Sequence, residues 1–341
     1  MELPKNVKHI LALAPNWLGD AVMCTPALRV LKRRFPEAEL TVTAKFPICD
    51  LLQGLPWIDR LAPISSRPGL FRMLQIAAEL HPHARDLAVI FPHSARAALL
   101  AMMAGASNRL GYQRGQRSWF LTDTVQPYRE KGVIVPIYMA KEYLDLLKPL
   151  GCEDDDQGLE LVADPKEIDA VRGRCSGEGP LIGLAPGAAF GSSKRWPAER
   201  YAQVADLLAQ KTGARFVLLT GPGEEETRAE ALKAAKTTFI ECYDQKPTIA
   251  RLKAAISEVD MLIGNDSGPR HIAIAFKKPV ICIMGSTSPR YTDSPWEVGK
   301  IVRVDVDCGP CQKPVCETDH RCMTRISPEM VMEAALPFLP H

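Results

Sequence analysis

The chain has 341 residues, of which 46% are hydrophobic and 24% are charged, and its net charge is +2. This composition is typical of a soluble globular protein, and the length is sufficient for two domains. No apolar run approaches the ~20 residues that span a bilayer, and the N-terminus lacks a signal-peptide cleavage site, so we expect a cytoplasmic protein.

The charge is unevenly distributed along the chain. Residues 1–150 carry 19 Lys and Arg against 12 Asp and Glu, whereas the remainder carries 23 against 28. A basic half suggests an anionic partner such as a phosphorylated substrate, a nucleic acid or a membrane surface, although scattered surface charge gives the same balance. No nucleic-acid-binding motif is present, so we expect no nucleic-acid partner.

Strand-like and helical patterns alternate through the first half. A buried strand is predicted at Ile10–Ala14, followed by a turn at residues 16–20 and a helix that runs to about Arg34. The later predicted elements are strands at Leu40–Ala44 and Leu87–Phe91 and helices at Leu70–Leu80, Ala95–Ala104 and Tyr138–Leu150. This β-then-α rhythm is typical of a parallel, doubly wound sheet.

The rhythm resumes after an acidic stretch at residues 153–157 and a charged helix at Asp164–Arg174. The clearest elements that follow are strands at Leu181–Ala185, Phe216–Thr220, Phe239–Cys242, Met261–Gly264 and Val280–Met284, with helices at Ala198–Lys211 and Glu225–Lys236. We therefore predict two doubly wound, Rossmann-like α/β domains, residues 1–160 and 161–326, facing across a cleft. A C-terminal helix within residues 327–341 is expected to pack back on the first domain.

Ligands of such folds bind at the carboxyl ends of the strands, which directs attention to the residues just after each strand. Asp20 follows the first strand, where a carboxylate can act as a general base or simply cap the next helix. The same turn has no GxGxxG pattern, which argues against a dehydrogenase.

Two loops of the second half have the composition of phosphate-binding loops. In the loop at residues 186–197, Gly187 belongs to a set of small residues that let the backbone close on a phosphate, and Lys194 can supply a cation. The same residues are equally consistent with a solvated loop that carries surface cations. After the strand at Phe216–Thr220, Glu225 either favours the dipole of its own helix or accepts hydrogen bonds from a ribose.

A third loop lies between the strand at Met261–Gly264 and a helix that Pro269 can begin. Asp266, Ser267 and Gly268 lie at the junction, and His271 lies on the first helical turn. The N-terminus of a helix is a natural phosphate site because its N–H groups are free and its dipole is positive there. An ordinary capped turn is the alternative interpretation.

Ten cysteines are present, and four of them cluster near the C-terminus with His320 close by. The cluster consists of Cys308, Cys311, Cys316 and Cys322. A thiolate quartet in one loop can hold structural zinc, but the spacing departs from the usual paired CxxC motifs. Free thiols or a disulfide are the alternatives.

Taken together, four motifs resemble the ADP-heptose:lipopolysaccharide heptosyltransferases of glycosyltransferase family nine. The motifs are NWLGDAVM at residues 16–23, PGA at 186–188, KRWP at 194–197 and NDSGPRH at 265–271. Their order and spacing extend the resemblance over nearly the whole chain. Within that family, the NWLGDAVM and PGAAFGSSKRWP forms are more similar to heptosyltransferase II than to heptosyltransferase I.

The resemblance implies an inverting GT-B glycosyltransferase that needs no catalytic metal or other cofactor. The first half would hold the acceptor, the inner core of lipopolysaccharide (Kdo-lipid A with its first heptose), at the surface of the inner membrane. The second half would hold ADP-heptose. Carried over residue by residue, Asp20 matches the proposed base, Lys194 the diphosphate cation, and Asp266 to His271 the diphosphate loop.

The acceptor residues are expected in the first half, where the positive charge lies. They are Asn16, Arg60, Arg67, Arg114 and Arg117, all in or near predicted loops. The alternatives to this function are heptosyltransferase I or III of the same family, a nonhydrolysing nucleotide-sugar epimerase, and a plain nucleotide- or phosphate-binding module.

Overall fold

A computed structural model describes residues 6–65, 69–243 and 247–340. The chain divides into two compact units, Met1–Leu161 and Val162–His341. Within the described ranges, no helix is both long enough and apolar enough to cross a membrane.

The first unit is built on a six-stranded parallel sheet, with strands in the order β3-β2-β1-β4-β5-β6. These strands are β1 (His9–Leu13), β2 (Glu39–Lys45), β3 (Arg60–Ile64), β4 (Leu87–Ile90), β5 (Asn108–Tyr112) and β6 (Asp123–Val125). This is the strand order of a dinucleotide-binding Rossmann fold. Ligands of that fold lie at the carboxyl ends of the two central strands where the order reverses, here β1 and β4.

Helices cover both faces of this sheet. They are α1 (Leu18–Met23), α2 (Thr25–Arg34), α3 (Phe46–Leu52), α4 (Leu70–Leu80), α5 (Ala95–Met103) and α6 (Met139–Leu147), and a short hairpin, β7 (Arg129–Glu130) and β8 (Val133–Ile134), precedes α6. Leu11 and Leu13 of β1 pack in one core with residues of α4 and α5. Side chains alternate along a strand, so the equally buried Ile10 and Ala12 pack on the opposite face.

The helix expected to run from the first turn to Arg34 is in fact two helices, α1 and α2, which meet at Cys24. Pro26 explains the break, because proline has no N–H to donate to the carbonyl four residues earlier. The Thr25 hydroxyl donates to that carbonyl, of Val22, at 2.7 Å instead.

The second unit repeats the architecture, with strand order β11-β10-β9-β12-β13-β14. Its strands are β9 (Leu181–Ala185), β10 (Arg215–Leu218), β11 (Phe239–Ile240), β12 (Met261–Asn265), β13 (Val280–Ile283) and β14 (Gly299–Val302). Its helices are α7 (Pro165–Arg174), α8 (Ala198–Thr212), α9 (Glu225–Ala234), α10 (Ile249–Glu258), α11 (Gly268–Ala275), α12 (Arg321–Thr324) and α13 (Pro328–Ala335). The prediction of two doubly wound α/β sheets is confirmed.

The C-terminal helix α13 packs within the second unit, and its predicted packing on the first domain stays a prediction. Its buried residues Val331, Ala334 and Ala335 belong to the core of the second unit, together with residues of α8. A short helix is stabilised mainly by burying its apolar side. The apolar side of α13 is buried against α8 of the same unit.

The charge of the first unit is also smaller than the sequence halves suggested. The unit extends to Leu161 and so includes five acidic residues between 153 and 160, which reduce the balance of +7 for residues 1–150 to +2. One of them, Asp155, receives hydrogen bonds from Arg29 at 2.7 and 2.8 Å and from Arg33 at 2.7 Å. These two cations are therefore neutralised within the unit.

We expect Asp155→Asn to lower the free energy of unfolding of the first unit by about 2 to 3 kcal/mol, because the buried Arg29 guanidinium loses one of its two carboxylate partners and keeps only Glu160, at 3.0 Å. Hydrogen bonds from Arg29 lower the pKa of Asp155 from 3.8 to about 2. The stabilisation should therefore be present at neutral pH and be lost as the pH falls from about 4 through 2. Urea titrations at several pH values measure it. Glu79→Gln, at an exposed ion pair with Arg72, is the control and should cost under about 0.5 kcal/mol.

Candidate active site

The site in the second unit forms where the strand order reverses. The carboxyl ends of β9 and β12 are neighbours there, and each leads into one of the loops singled out in the sequence. Asn265, the last residue of β12, connects the two loops by hydrogen bonds. Its side-chain NH2 donates to the Pro186 carbonyl at 2.7 Å, and its side-chain oxygen accepts from the Trp196 N–H at 3.2 Å. The Tyr201 hydroxyl donates to the same oxygen at 2.9 Å. This buried asparagine sets the relative position of the two loops.

Asp266 is the centre of a buried ion cluster. One carboxylate oxygen accepts from Lys194 Nζ at 2.8 Å and from the Thr287 hydroxyl at 2.8 Å, and the other accepts from Arg270 at 2.9 Å. Burial alone would raise the pKa of Asp266, but the cations Lys194 and Arg270 hold it well below its usual range. Asp266 is therefore ionised, and its first role in the structure is to position two cations.

Arg270 lies on the inner side of this cluster. Its side chain is fully buried and donates twice to the Glu297 carboxylate and once to the Thr292 hydroxyl. Burial would lower its pKa, but the facing carboxylates of Asp266 and Glu297 raise it above the usual value. Because all these donors are used inside the protein, Arg270 is not available to a ligand.

The N-terminus of α11 carries two polar atoms that are buried without a partner. Ser267 is the residue before the helix, and among the described residues neither its hydroxyl oxygen nor His271 Nδ1 has a hydrogen-bond partner. Buried polar atoms without partners are rare in folded proteins and call for an explanation such as a missing ligand. Their position beside the free N–H groups of a helix start is that of an anion site.

His271 is neutral. Burial lowers its pKa to about 3, with a further contribution from the nearby positive charge of Arg270. A neutral imidazole can donate one hydrogen bond to a ligand but adds no charge to the site.

Lys194 is the most exposed charged member of the described ion cluster, with 15% of its side chain exposed against 2% for Asp266, 0% for Arg270 and 7% for Glu297. The ammonium group has three donors, and two of them go to Asp266, at its carboxylate and at its carbonyl. The same nitrogen lies 5.2 Å from the centre of the Phe190 ring. Lys194 is thus held in place with one donor left for a ligand.

The loop around Lys194 rests on the cysteine-rich segment. The Ser193 N–H donates to the Pro314 carbonyl at 3.1 Å, and His320 Nε2 lies 2.9 Å from the Ser193 carbonyl. Gly191, at φ 156°, passes so close to Pro314 that a Cβ would lie 2.0 Å from its carbonyl oxygen. Only glycine fits there, and its packing fixes the path of the loop.

The glutamate beside Gly187 is Glu224. A Cβ on Gly187 would lie 1.9 Å from a Glu224 carboxylate oxygen, so the glycine leaves room for that side chain. The other Glu224 oxygen accepts from the Gly221 N–H at 2.8 Å. Glu225 is exposed and accepts from the Gly223 N–H at 3.2 Å. The sequence predicts acidic residues at the start of α9, but only the backbone geometry of the turn shows that Glu224, and not Glu225, lies beside Gly187.

In the first unit, Asp20 lies in the first turn of α1, just beyond the carboxyl end of β1, and is half-buried. Burial is the main reason that the pKa of Tyr143 is raised, and the charge of Asp20 adds to it. Asp20 therefore lies near the Tyr143 hydroxyl of α6. The Tyr143 ring packs edge-on against Phe91, which follows β4, at 5.6 Å. Asn16, in the preceding loop, is exposed.

Near the same strand ends is a polar cluster that the sequence did not reveal. The buried carboxylate of Glu142 lies 2.8 Å from His93 Nε2 and accepts from Arg114 at 2.9 Å. The Tyr112 hydroxyl donates to the Glu142 carbonyl at 2.6 Å. Arg114 Nε is buried without a partner among the described residues. No local motif links these residues, because they come from four separate elements.

The other predicted acceptor arginines are Arg117, Arg60 and Arg67. Arg117 is only 1% exposed and donates to the carbonyls of Pro92 and Ile90. It therefore stabilises the backbone at the end of β4 and does not face solvent. Burial lowers its pKa to about 10. Arg60 begins β3 and lies at the amino end of that strand, whereas Asp20 lies beyond a carboxyl end. Arg67 lies outside the described residues.

The four clustered cysteines line one cavity of about 340 Å³. All are reduced; Cys308 and Cys311 are exposed, Cys316 is half-buried and Cys322 is buried. Across residues 6–65, 69–243 and 247–340, no group of three or more His, Cys, Asp or Glu side chains is arranged to hold a metal ion. The arrangement therefore does not fit a preformed tetrahedral zinc site.

Comparisons with known proteins agree with this architecture. Residues 73–321 match the model of the family described as glycosyltransferase family 9 (heptosyltransferase). Lipopolysaccharide heptosyltransferase 2 of Escherichia coli is 27% identical over 341 residues, which cover 95% of this chain and 96% of that protein.

Two solved structures share the fold. A family 9 glycosyl transferase from Veillonella parvula superposes with a TM-score of 0.83 at 25% identity, covering 99% of this chain and 98% of the other. The ADP-heptose lipopolysaccharide heptosyltransferase II of E. coli gives 0.77 at 25% identity, covering 97% and 98%. The expected GT-B fold is thereby confirmed.

We expect His271 to remain neutral between pH 5 and 8, because burial and Arg270 disfavour its protonated form. Nitrogen-15 NMR of the imidazole measures this directly, with His271→Gln to assign the signal. Since the folded pKa is below the ordinary 6.5, the contribution of this group to stability should be complete above about pH 6.5 and decline at lower pH. A titration midpoint near 6.5 would contradict the buried, neutral assignment.

Proposed function

As this chain belongs to glycosyltransferase family 9, the heptosyltransferases, we propose that it transfers heptose from ADP-L-glycero-D-manno-heptose to the first heptose of the lipopolysaccharide inner core. The observation that carries the proposal is the anion site at the start of α11, where Ser267 and His271 present unpartnered polar atoms beside Lys194. The relatives named heptosyltransferase 2, alignable over 95% of the chain, support transfer to the first heptose.

The second unit holds the donor in this proposal. The diphosphate would accept hydrogen bonds from the free N–H groups of α11, from the Ser267 hydroxyl and from the remaining donor of Lys194. Gly268 at the helix start lets the phosphates approach the backbone. The proximity of Glu224 to Gly187 supports Glu224 as an acceptor of a hydrogen bond from the ribose, and Glu225, the acid expected from the sequence, stays a prediction.

The chemistry follows from where charge develops. The bond between the anomeric carbon and the phosphate oxygen breaks, ADP leaves with the electron pair, and the anomeric carbon becomes cation-like. Lys194 and the dipole of α11 stabilise the departing negative charge, and they are already in position before the reaction. Every group that this proposal places on the leaving diphosphate belongs to the protein.

Asp20 is the proposed general base. Its carboxylate would take the proton from the attacking hydroxyl of the acceptor as the new glycosidic bond forms on the face opposite to ADP, which inverts the anomeric centre. Arg114 and His93, both held by Glu142, would bind an acceptor phosphate near these strand ends. Asn16, exposed ahead of Asp20, would contact the acceptor sugar.

Two further expectations complete the proposal. The acceptor is anchored in the inner membrane, so the protein would contact the cytoplasmic surface of that membrane peripherally. A structural zinc ion at the four cysteines stays a prediction from their spacing alone, and no step of the reaction uses it. In the described structure the cysteine segment acts as the support of the Lys194 loop.

We expect Asp20→Asn to lower kcat at least about 100-fold, because the amide cannot accept the proton. Binding of ADP, measured by calorimetry, should be unchanged, since Asp20 belongs to the other unit from the phosphate site. Asp50→Asn, at an exposed carboxylate of α3, is the control. Near-normal turnover by a folded Asp20→Asn protein would return Asp20 to a helix-capping role.

Lys194→Ala should weaken ADP binding about tenfold to a hundredfold but leave adenosine binding nearly unchanged, because the lost contact is a charge-assisted hydrogen bond to phosphate. Calorimetric titration with each ligand measures the difference. Lys211→Ala, at the exposed end of α8, is a matched control. Equal losses for ADP and adenosine would place Lys194 away from the diphosphate and refute its role.

A further inference from the structure

Two cysteines near the C-terminus are accessible from outside the protein and take part in no step of the proposed reaction. Cys308 and Cys311 are reduced and exposed, whereas the six cysteines before residue 300 are all buried. Buried thiols are inert, but exposed thiols meet oxidants and disulfides in solution. We name Cys308 and Cys311 the thiol pair, and its exposure calls for an explanation.

The thiol pair has the spacing of a redox-active dithiol. Two residues separate the cysteines, and both line the cavity of about 340 Å³ described above. Cys-x-x-Cys pairs are typical of thiol–disulfide chemistry, because the loop that the bond closes is short. A metal would need further ligands, and the described side chains form no group of three or more that could hold one.

The walls of this cavity are suited to thiol exchange. Lys313 and Arg321 line it together with the thiol pair. Positive charge near a cysteine favours the thiolate, which is the form that attacks a disulfide. The same cations can attract the carboxylates of a small peptide disulfide such as oxidised glutathione.

The residues that follow the thiol pair hold the loop of the proposed anion site. Ser193, next to Lys194, donates from its hydroxyl to the Lys313 carbonyl and from its N–H to the Pro314 carbonyl at 3.1 Å. Ser193 is only 1% exposed, so water does not replace these bonds unless the loop opens. A change in the path of the chain just after Cys311 therefore reaches the Lys194 loop.

Gln312 connects the thiol pair to these contacts. Its φ of 57° lies in the left-handed region, which residues other than glycine rarely adopt, and its N–H donates to the Ser286 carbonyl at 2.9 Å. Such a conformation persists only where the surrounding contacts hold it. A disulfide requires its two Cβ atoms to lie about 3.5–4.5 Å apart, so closing one on Cys311 adds a competing constraint directly before Gln312.

We propose that the thiol pair exchanges with small disulfides of the glutathione class, and that the resulting Cys308–Cys311 disulfide releases the support of the Lys194 loop. The effect on the loop needs only the contacts described above. The effect on ADP binding rests on the proposed function, which places the diphosphate at Lys194.

The exchange takes two balanced steps. One cysteine thiolate attacks a sulfur of the small disulfide, so a mixed disulfide forms and one small thiolate leaves with the electron pair of the broken S–S bond. The second cysteine thiolate then attacks the protein sulfur of the mixed disulfide, and the second small thiolate leaves. The protein loses two electrons to the small disulfide, and the two thiol protons pass to the two small thiols.

The other two cysteines of the cluster are less suited to this exchange. Cys322 is buried and therefore shielded from small disulfides. Cys316 is half-buried, and hydrogen bonding, first from the Thr318 hydroxyl, lowers its pKa, so it can compete for the oxidant. A bond from Cys311 to Cys316 would close a longer loop, across residues 313 and 314 that Ser193 holds in place.

The test equilibrates the full chain in glutathione buffers from reduced to oxidised and maps its disulfides by mass spectrometry of peptides. We expect a Cys308–Cys311 disulfide in the oxidised buffers. Amide hydrogen exchange at Ser193, followed by NMR, should become at least about tenfold faster on oxidation and return on reduction. Cys311→Ser and Cys308→Ser should each abolish this change, and the matched control Cys316→Ser should retain it.

Titration with ADP separates this inference from the proposed function. Oxidised wild type should bind ADP about tenfold more weakly than reduced wild type, and saturating ADP should oppose oxidation by the same factor, because such coupling is reciprocal. Reduced protein that binds no ADP refutes the proposed donor site, while exchange at Ser193 still decides the role of the thiol pair.

Three results would overturn the inference. The first is a chain that stays reduced in fully oxidised glutathione. The second is a disulfide that maps to Cys316 instead of the thiol pair. The third is an oxidised thiol pair with unchanged hydrogen exchange at Ser193, which would show that the disulfide does not act on the Lys194 loop.

Discussion

The proposed donor site of this protein depends on one buried carboxylate. Asp266 holds Lys194 and Arg270 in place, and so connects the loop after β9, the start of α11 and the segment that carries Glu297. A buried ion is tolerated only when its charge is fully paired, which this one is. Because the carboxylate has fixed partners, the phosphate-binding groups are positioned before any ligand arrives, and none of the binding energy is spent on ordering them.

The two units share one strand order but put it to different uses. At its strand reversal the second unit has a glycine-rich loop, a helix N-terminus and a lysine, which suit a diphosphate. At the corresponding position the first unit has a carboxylate, Asp20, and the Glu142 cluster with His93 and Arg114. In the proposed function, the same backbone geometry would present an anion site in one unit and a general base in the other, as expected if function lies in the loops of such folds.

Much of the fold follows from short-range patterns. Strands buried on both faces, such as β1, β4 and β12, are continuous apolar runs, and the sequence pattern predicts them. The pattern misses β3, which contains proline, and β5, which contains Asn, Arg and Gly. The donor loops were predictable because their residues are close in sequence. The partners Thr287 and Glu297, and the Glu142 cluster, were not, because only the folded chain brings them near. The burial of Arg117 was unpredictable for the same reason: composition shows a charge but not the carbonyls that surround it.

The ion cluster has a consequence for turnover. Lys194 and Arg270 are balanced by Asp266 and Glu297, and His271 is neutral, so the site as a whole carries no excess positive charge. In the proposed function, a diphosphate held there would be stabilised mainly by dipoles and by one shared ammonium group. Such a site would suit the charge that grows in the transition state without trapping the product by bulk attraction, so release of ADP need not limit the proposed catalytic cycle.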